Sequence, residues 1–510
     1  MKAFIRKHLF SFFKYFPWYL LLWPLFYAFN INAAYKGVIA QDEMWIQILK
    51  WQLLLVAVFF FFRVFFSNNI QPAILTVWLG FLFFYIQGLK VLLSKYHFLH
   101  PLDNIYYIVS FWIILTIALF VFFIKIKNKF LKLSQFMMYL FIVLTFYEGI
   151  NYIIIISKRQ TISFKEKYRP ARDNLTASVN DSSLYPNIYH LVFDSYTNAA
   201  CFKKQFNYDN SILDSSLKEK GFYVSNNSKS NYFDSPVSVA SIFNMNYLPG
   251  ADVAGSVDEL TYFCGLRNLD NNTLWNFLQQ KGYTIYNESI FKIKNHPTNL
   301  KTIYFGNTDH DLLTQKTLER TSFPPIKDFF GVKETRTGFE FWDIEKKTLL
   351  QDTLIIENDL KKALAKNISG PVFFFSHCMM PHPPYVVDSL GRLSKSVAKS
   401  GYDPDGYIQQ SVYMRSIILK WIRLIQQNAK RPYVIIVQGD HGYRYFPNEL
   451  NKKECFYILN AMYYSDKDYG GLYNSISSVN TYRVLLNKYF GTRLPLLRDT
   501  SYYPTVYHLP

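Results

Sequence analysis

Five long apolar runs fill the first third of the chain, and short apolar runs separated by amphipathic stretches follow them. The long runs cover Phe10–Asn30, Trp45–Phe66, Ile74–Leu93, Ile105–Ile126 and Phe136–Ile156. Each is near the ~20 residues that cross a bilayer as a helix. Lys50 and Arg63 lie near the ends of the second run, where long side chains can snorkel to the interface. From Asn187 the pattern changes. Runs at Ile188–Phe193, Thr284–Tyr286, Val372–Phe375 and Tyr433–Val437 read as strands, and helical stretches at Ser211–Lys220, Thr273–Lys281, Thr353–Lys366 and Tyr407–Ala429 lie between them. Strands alternating with helices predict an α/β fold with a mostly parallel central sheet covered on both faces. The pattern thus divides the chain into a five-helix transmembrane domain (1–157), a polar, basic connector (158–186) and an α/β domain (187–510).

Charge sharpens this division. The formal net charge is +18, but residues 1–160 carry 15 Lys and Arg against 4 Asp and Glu, so about +11 of it flanks the apolar runs. Lys2, Arg6, Lys7 and Lys14 at the amino end, and Lys125, Lys127, Lys129 and Lys132 between runs four and five, predict cytoplasmic segments. With five spans, the α/β domain then lies on the outer face. Lys90, Lys95, Lys158 and Arg159 run against the rule, but long translocated domains largely escape it. No compact basic helix or Arg-rich run is present, which argues against nucleic acid as a partner. Glu148 is the clearest charge within a span, and no broken-helix repeat accompanies it, so the spans read as an anchor or lipid-facing platform. Cys201, Cys264, Cys378 and Cys455 show no metal-site spacing, and their pairing is open.

Three polar motifs each follow a candidate strand: Asp194 after Ile188–Phe193, His377 and His382 after Val372–Phe375, and Asp440-His441-Gly442 after Tyr433–Val437. Parallel sheets gather their chemistry at the carboxyl edge, so these motifs predict one shared site. Carboxylate and imidazole are ligands for zinc or manganese. Gly442 would let the backbone turn so that Asp440 and His441 reach one ion. Each motif alone has a plainer reading: a capping Asp, a surface His, a Ser at a helix N-cap. Ser235 precedes Pro236, which suits a first helical position and makes Ser235 the expected cap. There it would also meet backbone N–H groups suited to a phosphate, and a metal or base could make it a nucleophile. His382, in a proline-rich loop, could bind a phosphate oxygen or protonate a leaving group.

Asp194 in Leu191-Val192-Phe193-Asp194-Ser195, Ser235 in Ser235-Pro236-Val237-Ser238-Val239, His382 and Asp440-His441-Gly442 together resemble the alkaline phosphatase/sulfatase superfamily. The likeness is to its membrane-anchored bacterial branch, the phosphoethanolamine transferases and lipoteichoic-acid synthases, which also carry five N-terminal spans. The resemblance implies a sulfatase-like domain in which Asp194, Ser235, Asp440 and His441 hold the metal, Ser235 is the nucleophile and His382 stands on the substrate side. Two positions depart from the pattern. The next His after His441 is His508, whereas the transferases have one soon after D-H-G. Ser235 is followed by proline, and Val239 stands where the sulfatase C/S-x-P-x-R motif requires Arg, which disfavours sulfate-ester hydrolysis.

The expectation is therefore a metal-dependent transferase at the outer face of a bacterial inner membrane. It would move phosphoethanolamine or phosphoglycerol from a membrane phospholipid, through a covalent Ser235 intermediate, to an envelope glycan or lipid. A phosphodiesterase or phosphatase using water is the alternative enzyme. A non-catalytic envelope-binding protein is the alternative from another class.

Overall fold

The computed structural model describes residues 16–34, 41–95, 105–126, 130–159, 175–179, 181–248, 268–291, 293–302, 346–366, 368–394, 402–446 and 449–502. The N-terminal lysine cluster, most of the expected connector and Cys264 lie outside them. The described residues form two compact units, one up to residue 159 and the other from residue 175 onward.

The first unit consists of apolar helices α1 (Tyr19–Ala34), α2 (Gln41–Arg63), α3 (Ile70–Lys95), α4 (Ile105–Lys125) and α5 (Leu131–Arg159). Met44–Arg63, Tyr107–Lys125 and Leu131–Ile154 are long and apolar enough to cross a membrane, and Ile70–Ile86 is a shorter apolar helix. Large apolar side chains such as Phe111, Ile114, Val143, Phe146 and Ile153 are exposed, as lipid-facing positions would be. Helix α1 packs along α5, where polar contacts supplement the ring stacking of Phe29 on Tyr152. Glu148 has the partner the sequence did not reveal: Asn30 Nδ2 donates to its Oε1 at 2.8 Å, and Asn151 Nδ2 to its Oε2 at 3.4 Å. A charge within an apolar helix is costly unless hydrogen-bonded, so this acid ties two helices together.

The second unit is built on a six-stranded sheet in the order β2-β6-β5-β1-β4-β3. Its strands are β1 (Asn187–Phe193), β2 (Tyr223–Val224), β3 (Thr284–Ser289), β4 (Val372–Cys378), β5 (Tyr433–Gly439) and β6 (Asn460–Tyr464). Strands β5, β1, β4 and β3 are parallel, while β6 runs antiparallel to both β5 and β2. β1 and β4 are buried along their whole length, as continuous apolar runs in a two-faced sheet require. The helices are α6 (Ala199–Phe206), α7 (Ser211–Glu219), α8 (Ser235–Asn244), α9 (Thr273–Gln280), α10 (Lys346–Ala365), α11 (Pro404–Asn428) and α12 (Thr481–Phe490).

All four expected strands exist, three of them extending two or three residues further. The extension of β4 matters most, because it places His377 inside a strand rather than in the loop after it. Strands β2 and β6 were not anticipated, since two and five residues give little periodicity to read. Helix α8 corrects another expectation. Its N-cap is Asp234, and Ser235 is its first helical residue, with Pro236 next. Among the described residues Cys201, Cys378 and Cys455 are buried free thiols.

Candidate active site

Central strand β1 has β5 on one side and β4 on the other. The chain order diverges at β1, and such a switch point leaves a crevice beyond the carboxyl ends of the strands. In register, Phe193 pairs with both Cys378 and Gly439, so the next residues, Asp194 and Asp440, emerge side by side. His377 pairs one step earlier, with Val192. The Asp194 N–H donates to Cys378 O at 2.9 Å, which extends the ladder to the site itself. The ligand atoms of Asp194, His377 and Asp440 lie within 4.8 Å of one another, all buried.

The remaining groups converge from the flanking segments. Ser235 Oγ is 3.3 Å from Asp194 Oδ2 and 3.4 Å from His441 Nε2. Because Asp234 holds the cap position, the Ser235 hydroxyl points into the site instead of satisfying its own helix. Ser238, one turn on, donates to Asp440 O at 2.6 Å and ties this helix end to β5. Ser195 donates from its hydroxyl to Asp194 Oδ1 (3.2 Å) and from its N–H to Asp440 Oδ1 (3.1 Å). It does so at φ +64°, a conformation a non-glycine residue seldom holds except where neighbours impose it.

Gly442 is needed for a reason other than a free turn. A Cβ there would lie 2.3 Å from Tyr457 O and 3.0 Å from Cys455 O, and the Gly442 N–H donates to Cys455 O at 2.6 Å. The glycine permits close backbone approach behind His441. The turn expected from the sequence does not draw on glycine's conformational freedom, since Gly442 is not among the positive-φ glycines.

Hydrogen bonds settle two tautomers. His441 Nδ1 lies 2.7 Å from Gly442 O, an acceptor only, so Nδ1 carries the proton and Nε2 presents a lone pair to Ser235 and Asp194. That lone pair is 3.4 Å from Asp194 Oδ1 and 3.8 Å from Asp440 Oδ2. His382 is held the same way. Its Nδ1 donates to Pro383 O at 2.6 Å, and Nε2 accepts from Arg444 Nη2 and Tyr445 OH, both at 2.9 Å. Arg444 also donates to Asp234 Oδ1 at 2.8 Å and to Phe233 O at 3.3 Å.

Burial and the neighbouring Asp440 charge push the Asp194 carboxyl well above the usual range. Burial acts on Asp440 in the same direction, but His441 and His377 outweigh it and hold that carboxyl well below the usual range. Burial lowers His441 as well. Burial, and then the Arg444 charge, hold His382 well below its ordinary value, so it is neutral at physiological pH.

This donor set fits a divalent metal. The His441 lone pair lies 3.4 Å from Asp194 Oδ1 and 3.8 Å from Asp440 Oδ2, which is repulsive unless a proton or cation is shared between them, and His377 Nε2 lies 3.3 Å from Asp440 Oδ2. Two carboxylates with imidazole suit zinc or manganese. The structure brings Asp194, Ser235, Asp440 and His441 together, and His382 is connected to them through Arg444, Asp234 and a ring-centroid distance of 6.5 Å to His441. His377 is the residue the sequence reading left out of the metal set. Its position one register step from Asp194 could be read only after the strand pairing. Arg444 and Tyr445 were also missed, and the signal available was slight: a cation two residues beyond Gly442, where a bound metal's own charge disfavours one.

No curated protein matches the chain. Among solved structures it is similar to the C-terminal periplasmic domain of EcEptC from Escherichia coli in complex with Zn, at 12% identity and TM-score 0.40, covering 63% of this chain and 86% of that one. The integral membrane lipooligosaccharide phosphoethanolamine transferase A (EptA) from Neisseria meningitidis is similar over 95% of this chain and 96% of its own, at 12% identity and TM-score 0.37. The putative sulfatase YidJ from Bacteroides fragilis is similar at 14% identity and TM-score 0.39, covering 64% and 79%. The sulfatase family model matches residues 187–480, more than half of the chain. The chain therefore belongs to the sulfatase family and is an enzyme of the alkaline phosphatase superfamily.

Proposed function

We propose that the protein transfers a phospho-headgroup, phosphoethanolamine or phosphoglycerol, from a membrane phospholipid to an envelope glycan or lipid. Residues 1–157 anchor it in a bacterial inner membrane through five spans, 158–186 connect, and 187–510 work on the outer side. The observation that carries the reading is the Ser235 hydroxyl. It sits at the start of a helix, 3.3 Å from Asp194 and 3.4 Å from the lone pair of His441.

Asp194, His377, Asp440 and His441 would hold a zinc or manganese ion, with Ser235 beside it. When bound, such an ion lowers the pKa of a neighbouring hydroxyl and offsets charge on phosphoryl oxygens. Ser235 Oγ attacks phosphorus, a new O–P bond forms, the bond from phosphorus to the diacylglycerol oxygen breaks, and the proton that Ser235 loses ends on that departing oxygen. The N–H groups opening α8 face the negative charge that develops. Arg444, clamped by Asp234, adds a fixed positive charge on the side of His382. It supplies the cation that a second histidine after D-H-G would otherwise bring. His382, whose Nε2 lone pair accepts from Arg444 Nη2 and Tyr445 OH, holds those two donors in place beside the substrate; in the second half-reaction the incoming hydroxyl displaces Ser235 Oγ, which takes up that hydroxyl's proton.

The test is incubation of the purified, metal-loaded protein in detergent with labelled phosphatidylethanolamine and phosphatidylglycerol. Diacylglycerol from one of them, absent with Ser235→Ala while metal content is unchanged, supports the reading. Undiminished product from Ser235→Ala overturns it.

A further inference from the structure

A cavity of about 630 Å³ is lined by Lys229, Tyr247, Lys453, Phe456, Arg498 and Tyr502, with Asp499, Thr500 and Ser501 completing it. Three chain segments, together with Tyr247 just beyond α8, build it. One is 229–231, which leads into Ser235. The second is 453–456, whose Cys455 carbonyl holds Gly442. The third is 498–502, fastened to the first where Tyr502 N–H donates to Asn231 O (2.9 Å) and Ser501 Oγ to Ser230 O (2.6 Å).

The charges in the cavity do not cancel. Asp499 Oδ1 is committed to the wall, accepting from Tyr473 OH (3.0 Å), Ser477 N–H (3.0 Å) and Asn480 Nδ2 (3.1 Å). Among the described residues, none of Lys229, Lys453 and Arg498 forms an ion pair, although Lys229 Nζ lies 4.5 Å over the Tyr457 ring. Three cations against one carboxylate that is already hydrogen-bonded to the wall leave the cavity net positive, which favours an anion. Tyr247, Phe456 and Tyr502 add apolar walls, and the volume falls within the roughly 300–1,000 Å³ of small-molecule sites. A bare phosphate would leave most of that space empty.

We propose that this cavity binds a phosphorylated saccharide, with the phosphate among Lys229, Lys453 and Arg498 and the sugar ring against the aromatic walls. An occupant there would bear on the two segments that position Ser235 and His441, which is where an anionic glycan acceptor would be held. The binding claim is independent of headgroup transfer. A protein that releases no diacylglycerol would sink the transfer reading and leave this one standing.

The experiment is calorimetric titration of the full-length Ser235→Ala protein in detergent with N-acetylglucosamine 1-phosphate. N-acetylglucosamine, glycerol 3-phosphate and inorganic phosphate are parallel arms. The sugar phosphate is expected to bind tightest and to weaken with added salt. The double variant Lys229→Gln/Arg498→Gln should lower its affinity about tenfold or more, as loss of charge-assisted hydrogen bonds implies. Should the double variant fold poorly, exposed Lys453→Gln serves instead, with an expected loss of about threefold or more. Absence of binding, or affinity that neither variant changes, would overturn the site. Equal binding of neutral N-acetylglucosamine would overturn the anion assignment, and tighter binding of glycerol 3-phosphate would overturn the saccharide.

Discussion

Replacing Gly442 by alanine puts a methyl group 2.3 Å from the Tyr457 carbonyl oxygen, 3.0 Å from that of Cys455 and 3.2 Å from Thr197 Oγ1. The first two are backbone atoms and cannot rotate away. To reach even 3.0 Å from Tyr457 O, the backbone at 442 must move by about 0.7 Å. Such a move loosens the 2.6 Å hydrogen bond to Cys455 O, costing about 1 kcal/mol, and overpacking adds about 1–3 kcal/mol. The total of about 2–4 kcal/mol is a sizeable part of a typical domain's 5–15 kcal/mol. The adjoining His441 is held by its Nδ1 contact to Gly442 O, so its ring shifts as well. The expected result is a melting temperature lower by roughly 5–10 °C, with metal affinity reduced at least ~tenfold, as misplaced ligands imply. Gly282→Ala is the control. That glycine has φ +80° with nothing within 4 Å, so alanine costs about 1 kcal/mol of backbone strain and leaves metal affinity unchanged. Melting followed by intrinsic fluorescence, and chelator competition for zinc and manganese, read both effects. If Gly442→Ala matched Gly282→Ala in both, the claim that residue 442 needs space would be refuted.

His377→Ala should lower metal affinity about tenfold or more while the protein still melts cooperatively. Unchanged affinity would remove His377 from the donor set. Arg444→Gln should cut turnover about tenfold or more, as loss of a charge-assisted contact to phosphate implies, with partial recovery in Arg444→Lys. Equal turnover of all three proteins, measured as diacylglycerol release, would exclude Arg444 from the substrate site. Burial, then the Asp359 carboxylate, pushes Glu288 up to about 8 from 4.5. Between those values the folded protein binds more protons than the unfolded chain, so stability falls as pH rises through this window. Melting temperatures from pH 5 to 9 should therefore decline less steeply in Glu288→Gln, and parallel curves would argue against the shift.

Much of this protein could be read before it was folded. The apolar helices, the four core strands and the acid–hydroxyl–D-H-G order depend on local composition and on motifs only a few residues long. Hydrophobic periodicity reports such features directly, because burial of one face is a short-range demand on the sequence. Asp194, Ser235, Asp440 and His441 could accordingly be nominated from the chain alone. What the sequence could not supply was register and contact. Asp194 meets Asp440 because Phe193 pairs with Gly439 across 246 positions, and His377 joins them because β4 runs on to Cys378. The cap at Asp234, its pairing with Arg444 and the partnership of Glu148 with Asn30 are likewise long-range or one-residue matters. A one-residue change of register reverses which face a strand side chain occupies, and no local pattern reports which partner will be opposite. Residue types and element types were thus determined by the sequence alone. Which of those residues share a site, in which tautomer and beside which charge, was decided only when the parallel strands paired.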